Sequence, residues 1–168
     1  KAAACKWGEY EDRQPTALEL DAWFGHDRPV GVALVCGKVS GNLAVLDFES
    51  AAAWEKWRAR LTEVGGDGWV AGCPEVRTPK GGRHLYCRIE EGWVAGGKLA
   101  QAASKETVIE VRGQGHYVLA PGCPAACHPL NVPYAGVRDG WLAAEGGAGT
   151  VSIETFGALC DLAREQNE

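Results

Sequence analysis

The chain has 168 residues, 46% hydrophobic and 23% charged, which is typical of one globular domain with enough apolar side chains to bury a core. No run approaches the roughly 18 apolar residues of a membrane span, and the apolar stretch near the N-terminus is too short for a signal peptide. The net charge of −5 argues against a generic duplex-DNA binder, so any contact with nucleic acid must be local, through a few Arg and Lys side chains.

Composition also bears on the origin and compartment of the chain. It contains no Met, so we expect it to be a trimmed piece of a longer protein. Seven cysteines are scattered along it, at Cys5, Cys36, Cys73, Cys87, Cys123, Cys127 and Cys160. Without a secretory signal, this odd set predicts reduced thiols in a cytoplasmic protein.

The first part of the chain predicts a helix, two strands and a second helix. Thr16 and Glu19 have the spacing of a capping box, so a short helix is expected to begin there. Apolar runs at 31–35 and 43–48 predict strands. The second helix is expected over 50–61, where apolar residues recur at helical spacing.

After a glycine-rich stretch at 65–68 the pattern changes to short strands. They are predicted over 75–78, 84–89, 108–112 and 116–120. We expect the first two to form a hairpin, and the last two to pair closely across Gly113-Gln114-Gly115. The stretch 121–149 is predicted to be irregular, and a final helix is expected over 152–164. The fold class is therefore α+β with mostly antiparallel strands.

Two acids end the second strand. Alternation places Asp47 and Glu49 on one face, with Phe48 on the other. Neighbouring carboxylates repel each other unless a cation lies between them, and Mg²⁺ or Mn²⁺ suits such oxygen ligands. The alternative is a pair of solvated acids, with Glu49 favoured by the dipole of the following helix.

A third acid, Glu110, lies within the apolar strand predicted over 108–112. Glu110 and Arg112 share a face, where they could simply pair. If this strand lies beside that of Asp47, Glu110 instead completes a three-carboxylate metal cluster. Such a cluster suits two-metal phosphoryl or nucleotidyl transfer.

The loop between the first two short strands carries glycines and basic residues. Gly81 and Gly82 would let backbone N–H groups approach an anion, and Lys80, Arg83 and His84 add cationic or donor groups. Complementary charge of this kind predicts binding of a triphosphate. The alternative is a glycine hairpin with exposed basic side chains and a core histidine at position 84.

In this order, the motifs resemble the prim-pol family of the archaeo-eukaryotic primase superfamily. Its acidic pair falls on Asp47 and Glu49, its short motif ending in His on 82–84, and its later single acid on Glu110. The flanking stretches, at 37–43 and 115–121, match as well, as do Trp7 and the Trp23 helix.

The resemblance implies roles for these residues. Asp47, Glu49 and Glu110 would ligate Mg²⁺ or Mn²⁺, as a two-metal site. His84 would contact the phosphates or sugar of the nucleotide, and basic groups on Lys80, Arg83 and Arg112 would lie near it. The family fold is an RRM-like antiparallel sheet flanked by helices and packed beside an N-terminal α/β unit. Here these units would span about 1–68 and 69–168 of a single catalytic domain.

A small cluster follows the third motif. Cys123, Cys127 and His128 look like part of a zinc site, but no fourth ligand is evident and the C-x3-C spacing is weak. We therefore favour His128 as the family's turn histidine, close to the nucleotide.

The resemblance predicts a DNA primase-polymerase that uses dNTPs or NTPs and a single-stranded or primed DNA template. Because the chain is acidic, we expect further parts of the full-length protein, such as a primase helical domain or a helicase, to help hold DNA. Two alternatives remain: a metal-dependent nuclease or phosphohydrolase, and a non-catalytic RRM-like module that stacks bases on aromatic side chains.

Overall fold

A computed structural model describes residues 3, 5–27, 29–138 and 149–168. The helices described are α1 (Ala17–Phe24), α2 (Ala51–Glu63) and α3 (Ile153–Arg164). The strands described are β1 (Ala33–Val35), β2 (Leu43–Phe48), β3 (Glu75–Arg77), β4 (Arg83–Ile89), β5 (Gly97–Gln101), β6 (Thr107–Arg112), β7 (Tyr117–Leu119), β8 (Ala135–Arg138) and β9 (Thr150–Val151). None of these helices is both long and apolar enough to cross a bilayer.

Seven of the strands form the main sheet, in the order β5-β6-β2-β4-β3-β8 with β9 beside β4. All neighbours in that order are antiparallel, and β9 alone pairs in parallel. The α+β class with mostly antiparallel strands is thus confirmed. The central strand β2 comes from the chain before residue 68, so strands from both sides of the predicted boundary share this sheet. The boundary itself stays a prediction.

Helices α2 and α3 pack on one face of the main sheet. The core there contains Phe48 of β2, Trp57 and Leu61 of α2, and Phe156 and Leu159 of α3, all 2% exposed or less. The indole Nε1 of Trp57 donates a hydrogen bond of 3.2 Å to the carbonyl of Leu159, which joins the two helices. Because side chains alternate along a strand, burial of Phe48 on this face turns Asp47 to the other.

A two-stranded ribbon of β1 and β7 packs on the opposite face. Its residue Val118 joins a second buried cluster with Val45, Val76 and Tyr86 of the sheet. The pairing of β7 with β1 shows that the predicted hairpin of 108–112 with 116–120 is wrong. The physical reason is that β6 already uses both edges, one on β2 and the other on β5, so β7 must find another partner.

Local signals in the sequence placed the helices well. Both halves of the predicted capping box are present: the Thr16 hydroxyl accepts from the Glu19 amide, and the Glu19 carboxylate accepts from the Thr16 amide. The β3–β4 hairpin is also confirmed. Strands β5, β8 and β9 were missed, and β8 lies in the stretch predicted to be irregular. The rest of that stretch, 139–148, lies outside the described residues.

The core predicts a large stability difference between two tryptophan substitutions. We expect Trp57→Ala to lower the free energy of unfolding by about 3–5 kcal/mol, because its side chain is fully buried and a cavity would remain. The matched control is Trp69→Ala, whose side chain is 39% exposed and whose loss should cost less than about 1 kcal/mol. Urea denaturation measures both, and equal losses would contradict the described core.

Candidate metal centre

The register of the main sheet brings the three predicted acids together. Asp47 of β2 pairs directly with Glu110 of β6, and Glu49 follows β2 on the same side of the strand. Each of the three offers an oxygen, and these atoms lie within 4.8 Å of one another. Across 3, 5–27, 29–138 and 149–168, this is the one group of three or more such side chains close enough to share a metal ion. The two strands are therefore neighbours, which was the condition for Glu110 to complete a three-carboxylate cluster.

Asp47 is the innermost of the acids, at 7% exposed, and each of its oxygens has a partner. Nε2 of His84 lies 3.3 Å from Oδ1, and Nε of Arg112 lies 3.3 Å from Oδ2. Burial alone would raise the pKa of Asp47, but the hydrogen bond and charge of His84 and the charge of Arg112 outweigh it. The pKa of Asp47 therefore lies below its ordinary value, and this acid is kept ionised.

The pKa of Glu110 is shifted in the opposite direction from that of Asp47. Its pKa is raised, first because burial disfavours the charged form and then because the carboxylates of Asp47 and Glu49 repel a further negative charge. The nearby Arg112 guanidinium, which contacts Oε1 of Glu110, offsets only part of this. An additional cation would relieve the remaining repulsion among the three acids.

The donor set fits a hard divalent cation. Three carboxylates offer oxygen ligands only, which suit Mg²⁺ and Mn²⁺ and not the softer metals that select sulfur or imidazole. Asp47 and Glu110 are on paired strands, so their backbones are held by the ladder rather than by a mobile loop. The residues present can therefore hold such an ion.

His84 is held in a fixed orientation beside the acids. Its Nδ1 lies 3.2 Å from the hydroxyl of Tyr86, which in turn donates to the carbonyl of Leu119 at 3.4 Å. The ring also lies against that of Tyr134, with centroids 5.6 Å apart. His84 is buried as a core histidine would be, yet it faces Asp47 and lines the cleft described next.

A cleft of about 570 Å³ opens above the acids. It is lined by groups from both sheets and the intervening loops, including Asp47, Glu49, Lys80, His84, Arg112, His116, Tyr117, His128 and Tyr134. On one side the turn 78–82 closes back on itself, as the Gly81 amide donates to the Thr78 carbonyl at 2.9 Å. Lys80 at the tip of this turn is exposed, and the described part of the chain contains no ion pair to it.

Gly82 sets the position of this turn against the acidic strand. A Cβ atom at Gly82 would lie 1.9 Å from the carbonyl oxygen of Phe48. Phe48 is the residue between Asp47 and Glu49 in the sequence. Only a residue without a side chain allows this approach. The sequence pattern had suggested phosphate binding for the paired glycines, whereas the structure shows that Gly82 brings the Lys80 turn next to the acids.

Arg83 does not reach the cleft. It neighbours His84 on β4, so alternation turns it to the opposite face, where Nε pairs with Glu75 at 2.9 Å. One terminal nitrogen donates to the carbonyls of Gly81 and Gly82. The expected direct contact of Arg83 with a nucleotide does not agree with this placement. Its position suits support of the turn instead.

The zinc alternative finds no support among the described residues. The group Cys123, Cys127 and His128 does not bring three ligand atoms within 4.8 Å of one another. Sγ of Cys123 instead lies 3.2 Å from the backbone amide of Val32, and Nδ1 of His128 accepts from the Leu130 amide. His128 lines the cleft, and its place near the nucleotide stays a prediction.

Two aromatic features of the cleft were missed. Tyr134 lies in the stretch predicted to be irregular, and no local signal pointed to it. Trp7 and Tyr117 form an edge-to-face pair at 5.1 Å, contributed by distant parts of the chain. Both depend on how the ribbon and the loops fold over the sheet.

Comparison with known proteins identifies the family. The chain matches the model of the N-terminal domain of bifunctional DNA primase/polymerase, Prim-Pol, over residues 1–143, and it belongs to that family. A search of curated proteins found no match. Membership implies, in general terms, an enzyme of the nucleotidyltransferase type with DNA and nucleotides as substrates and divalent metals as cofactors.

The close approach at Gly82 predicts a sharp difference between two glycine substitutions. We expect Gly82→Ala to lower the free energy of unfolding by at least about 2 kcal/mol, because the new Cβ would overlap the Phe48 carbonyl. In the control Gly157→Ala, on α3, nothing lies within 4 Å of the new Cβ, and helix propensity predicts a gain of up to about 1 kcal/mol. Chemical denaturation decides between these outcomes, and a neutral Gly82→Ala would refute the close approach.

The acidic group predicts selective loss of metal binding. We expect Asp47→Asn and Glu110→Gln each to weaken Mn²⁺ binding at least about tenfold, because each removes a charged ligand from the group. The control Glu106→Gln changes an exposed acid outside the group and should bind as the wild type does. Isothermal titration calorimetry without nucleotide measures the affinities. Equal Mn²⁺ affinity in all four proteins would show that the ion binds elsewhere.

Proposed function

We propose that this domain transfers nucleotidyl groups from dNTPs or NTPs to a 3′-hydroxyl, directed by a DNA template, and so makes or extends primers. The proposal rests chiefly on one observation: Asp47 and Glu49, whose carboxylates lie within 4.8 Å of that of Glu110, line a cleft together with Lys80, Arg112 and three imidazoles. Membership of the Prim-Pol family supports the same reaction class. The cleft, at about 570 Å³, is of the size that small-molecule sites usually have.

We assign the metal ligands to the three acids. Mg²⁺ or Mn²⁺ bound there would supply activation of the attacking hydroxyl and neutralisation of charge on the leaving pyrophosphate. The contribution of the chain is to keep Asp47 ionised before a metal binds, through His84 and Arg112, and to hold Glu110 opposite it on β6. His84 fixes the orientation of the Asp47 carboxylate, since its own ring is held by Tyr86.

The remaining side chains of the cleft suit the binding of a triphosphate. Lys80 is exposed at the tip of the turn that Gly82 places beside the acids, so its ammonium can reach phosphate oxygens. The Gly81 N–H already donates a hydrogen bond to the Thr78 carbonyl. Gly81 therefore contributes to this turn through its positive φ of 91°, which favours glycine. His128 and Tyr134 also line the cleft, with ring centroids 6.3 Å apart, and we place them near the sugar or base of the nucleotide.

We also propose that the sheet has the RRM-like arrangement of archaeo-eukaryotic primases. The four strands between β5 and β8 lie in the order β6-β2-β4-β3, and each is antiparallel to its neighbour. Helix α2 connects β2 to β3 along the chain. Helices cover one face of these strands, as in RRM domains. The β1–β7 ribbon covers part of the other face, and the cleft opens on that same face.

This covering disfavours a module that only binds nucleic acid. RRM domains stack bases on exposed aromatic side chains of their central strands. The aromatic residue of the central strands on this face is Tyr86, which is 1% exposed beneath the ribbon. Stacking of that kind would require the ribbon to move away.

Primer extension tests the proposal directly. With a primed template, labelled dNTPs and Mn²⁺, we expect the wild type to lengthen the primer. Glu110→Gln should reduce the rate at least about a hundredfold, because it removes charge from the metal-binding group. Glu106→Gln, with the same chemical change outside the group, should retain activity.

The alternatives give different products in the same assay. Shortening of the primer or template that depends on Asp47 would indicate a nuclease. Release of phosphate from free dNTPs without extension would indicate a phosphohydrolase. If Asp47→Ala left all activity and all Mn²⁺ binding unchanged, the catalytic assignment would be wrong and a binding module would be favoured.

A further inference from the structure

The guanidinium of Arg112 lies within the acidic group itself. Its Nε is 3.3 Å from Oδ2 of Asp47, and a terminal nitrogen contacts Oε1 of Glu110. Arg112 thus bridges carboxylates on two different strands. Its positive charge is placed where a metal ion shared by those acids would also place its own charge.

The two cationic or donor partners of Asp47 differ in their freedom to move. His84 is 4% exposed, and both of its ring nitrogens face a partner, so its position is fixed. The Arg112 side chain is 29% exposed and lines the cleft. Of the two, Arg112 is the group that can leave Asp47 without opening the core.

Charge decides which cation the acids prefer. Glu49 has no ion pair within the described parts of the chain, so even with His84 beside Asp47 the single guanidinium of Arg112 leaves an excess of negative charge among the three carboxylates. A divalent cation neutralises more of this charge than a guanidinium does. The same cation repels Arg112, because the metal ion and the guanidinium would carry positive charge next to the same carboxylate oxygens.

From this geometry we propose that Arg112 is the resident counter-cation of the acidic group and exchanges with the divalent metal. Without a divalent cation, its guanidinium holds Asp47 and Glu110 together against their mutual repulsion. When the cation binds, the guanidinium leaves both acids and turns into the cleft. The inference rests on the metal-binding part of the proposed function and does not require the polymerase reaction.

The exchange predicts that loss of Arg112 tightens metal binding. In Mn²⁺ titrations without nucleotide or DNA, we expect Arg112→Gln to bind about fivefold more tightly than the wild type, because a competing partly exposed ion pair is removed. An arginine that only supported the acids would give the opposite result. Affinity equal to or weaker than that of the wild type would therefore overturn the proposal.

Arg58→Gln is the matched control. Arg58 has a similar exposure, 32%, and pairs with Asp67 at 2.7 Å. It belongs to α2, which packs on the opposite face of the sheet from the acids. This variant makes the same change in net charge, so it reports any general effect of charge on Mn²⁺ affinity. A gain as large in Arg58→Gln as in Arg112→Gln would also overturn the proposal.

The wild-type protein provides a second measurement if Arg112→Gln does not fold. With ¹⁵N-labelled arginine, the Nε–H signal of Arg112 can be followed by NMR while Mg²⁺ is added. We expect the signal to shift and its exchange with water to accelerate, since the bond to Asp47 is lost. A signal unchanged at saturating Mg²⁺ would show that the guanidinium stays in place.

The outcomes separate this inference from the proposed reaction. Absence of Mn²⁺ binding in both the wild type and Arg112→Gln would overturn the exchange, whatever the extension assay shows. Failed extension with Mn²⁺ bound more tightly by Arg112→Gln would count against the polymerase reaction alone.

Discussion

The pairing of β2 with β4 on one side and β6 on the other is the constraint on which the site depends. In this register Asp47 faces His84 and Glu110 at the same level of the sheet. The aromatic and aliphatic core beneath Phe48 holds β2 in that register, because a slip by one residue would turn Phe48 out of the core and Asp47 into it. Hydrophobic burial on one face thus determines electrostatics on the other.

The consequence is an accumulation of negative charge that the fold must tolerate. Three carboxylates lie within 4.8 Å, and the innermost is almost completely buried. His84 and Arg112 compensate part of this charge, which lowers the pKa of Asp47 but leaves that of Glu110 raised. An arrangement that is incompletely neutralised by its own side chains is suited to an external cation, and it explains why Arg112 lies inside the group.

Access to the acids depends on parts of the chain that lie far apart in sequence. The ribbon of β1 and β7 covers much of the sheet face, and the turn that Gly82 presses against β2 forms one side of the opening. Tyr134, which precedes β8, also lines the cleft. The acids therefore open into a cleft beside the sheet, and the central strands do not offer an open aromatic platform.

Local patterns in the sequence determined the elements and the shared face of the key residues. The capping box at Thr16, the apolar run before Asp47 and the alternation that joins Asp47 with Glu49 and Glu110 with Arg112 all act over a few residues, so they can be deduced without tertiary contacts. The order of the motifs also indicated the family. Arg83 could have been placed by the same alternation, since it neighbours His84 on one strand.

Only the tertiary structure decided which strands became neighbours and what covered them. Nothing local specifies that β6 lies beside β2, or that β7 leaves β6 for β1, because strand partners are chosen by competition among edges and by burial across the whole domain. Strands β5 and β8 likewise form through pairing rather than through their own weak patterns. The sequence therefore determined which residues share a face, and tertiary pairing determined that three of their carboxylates meet.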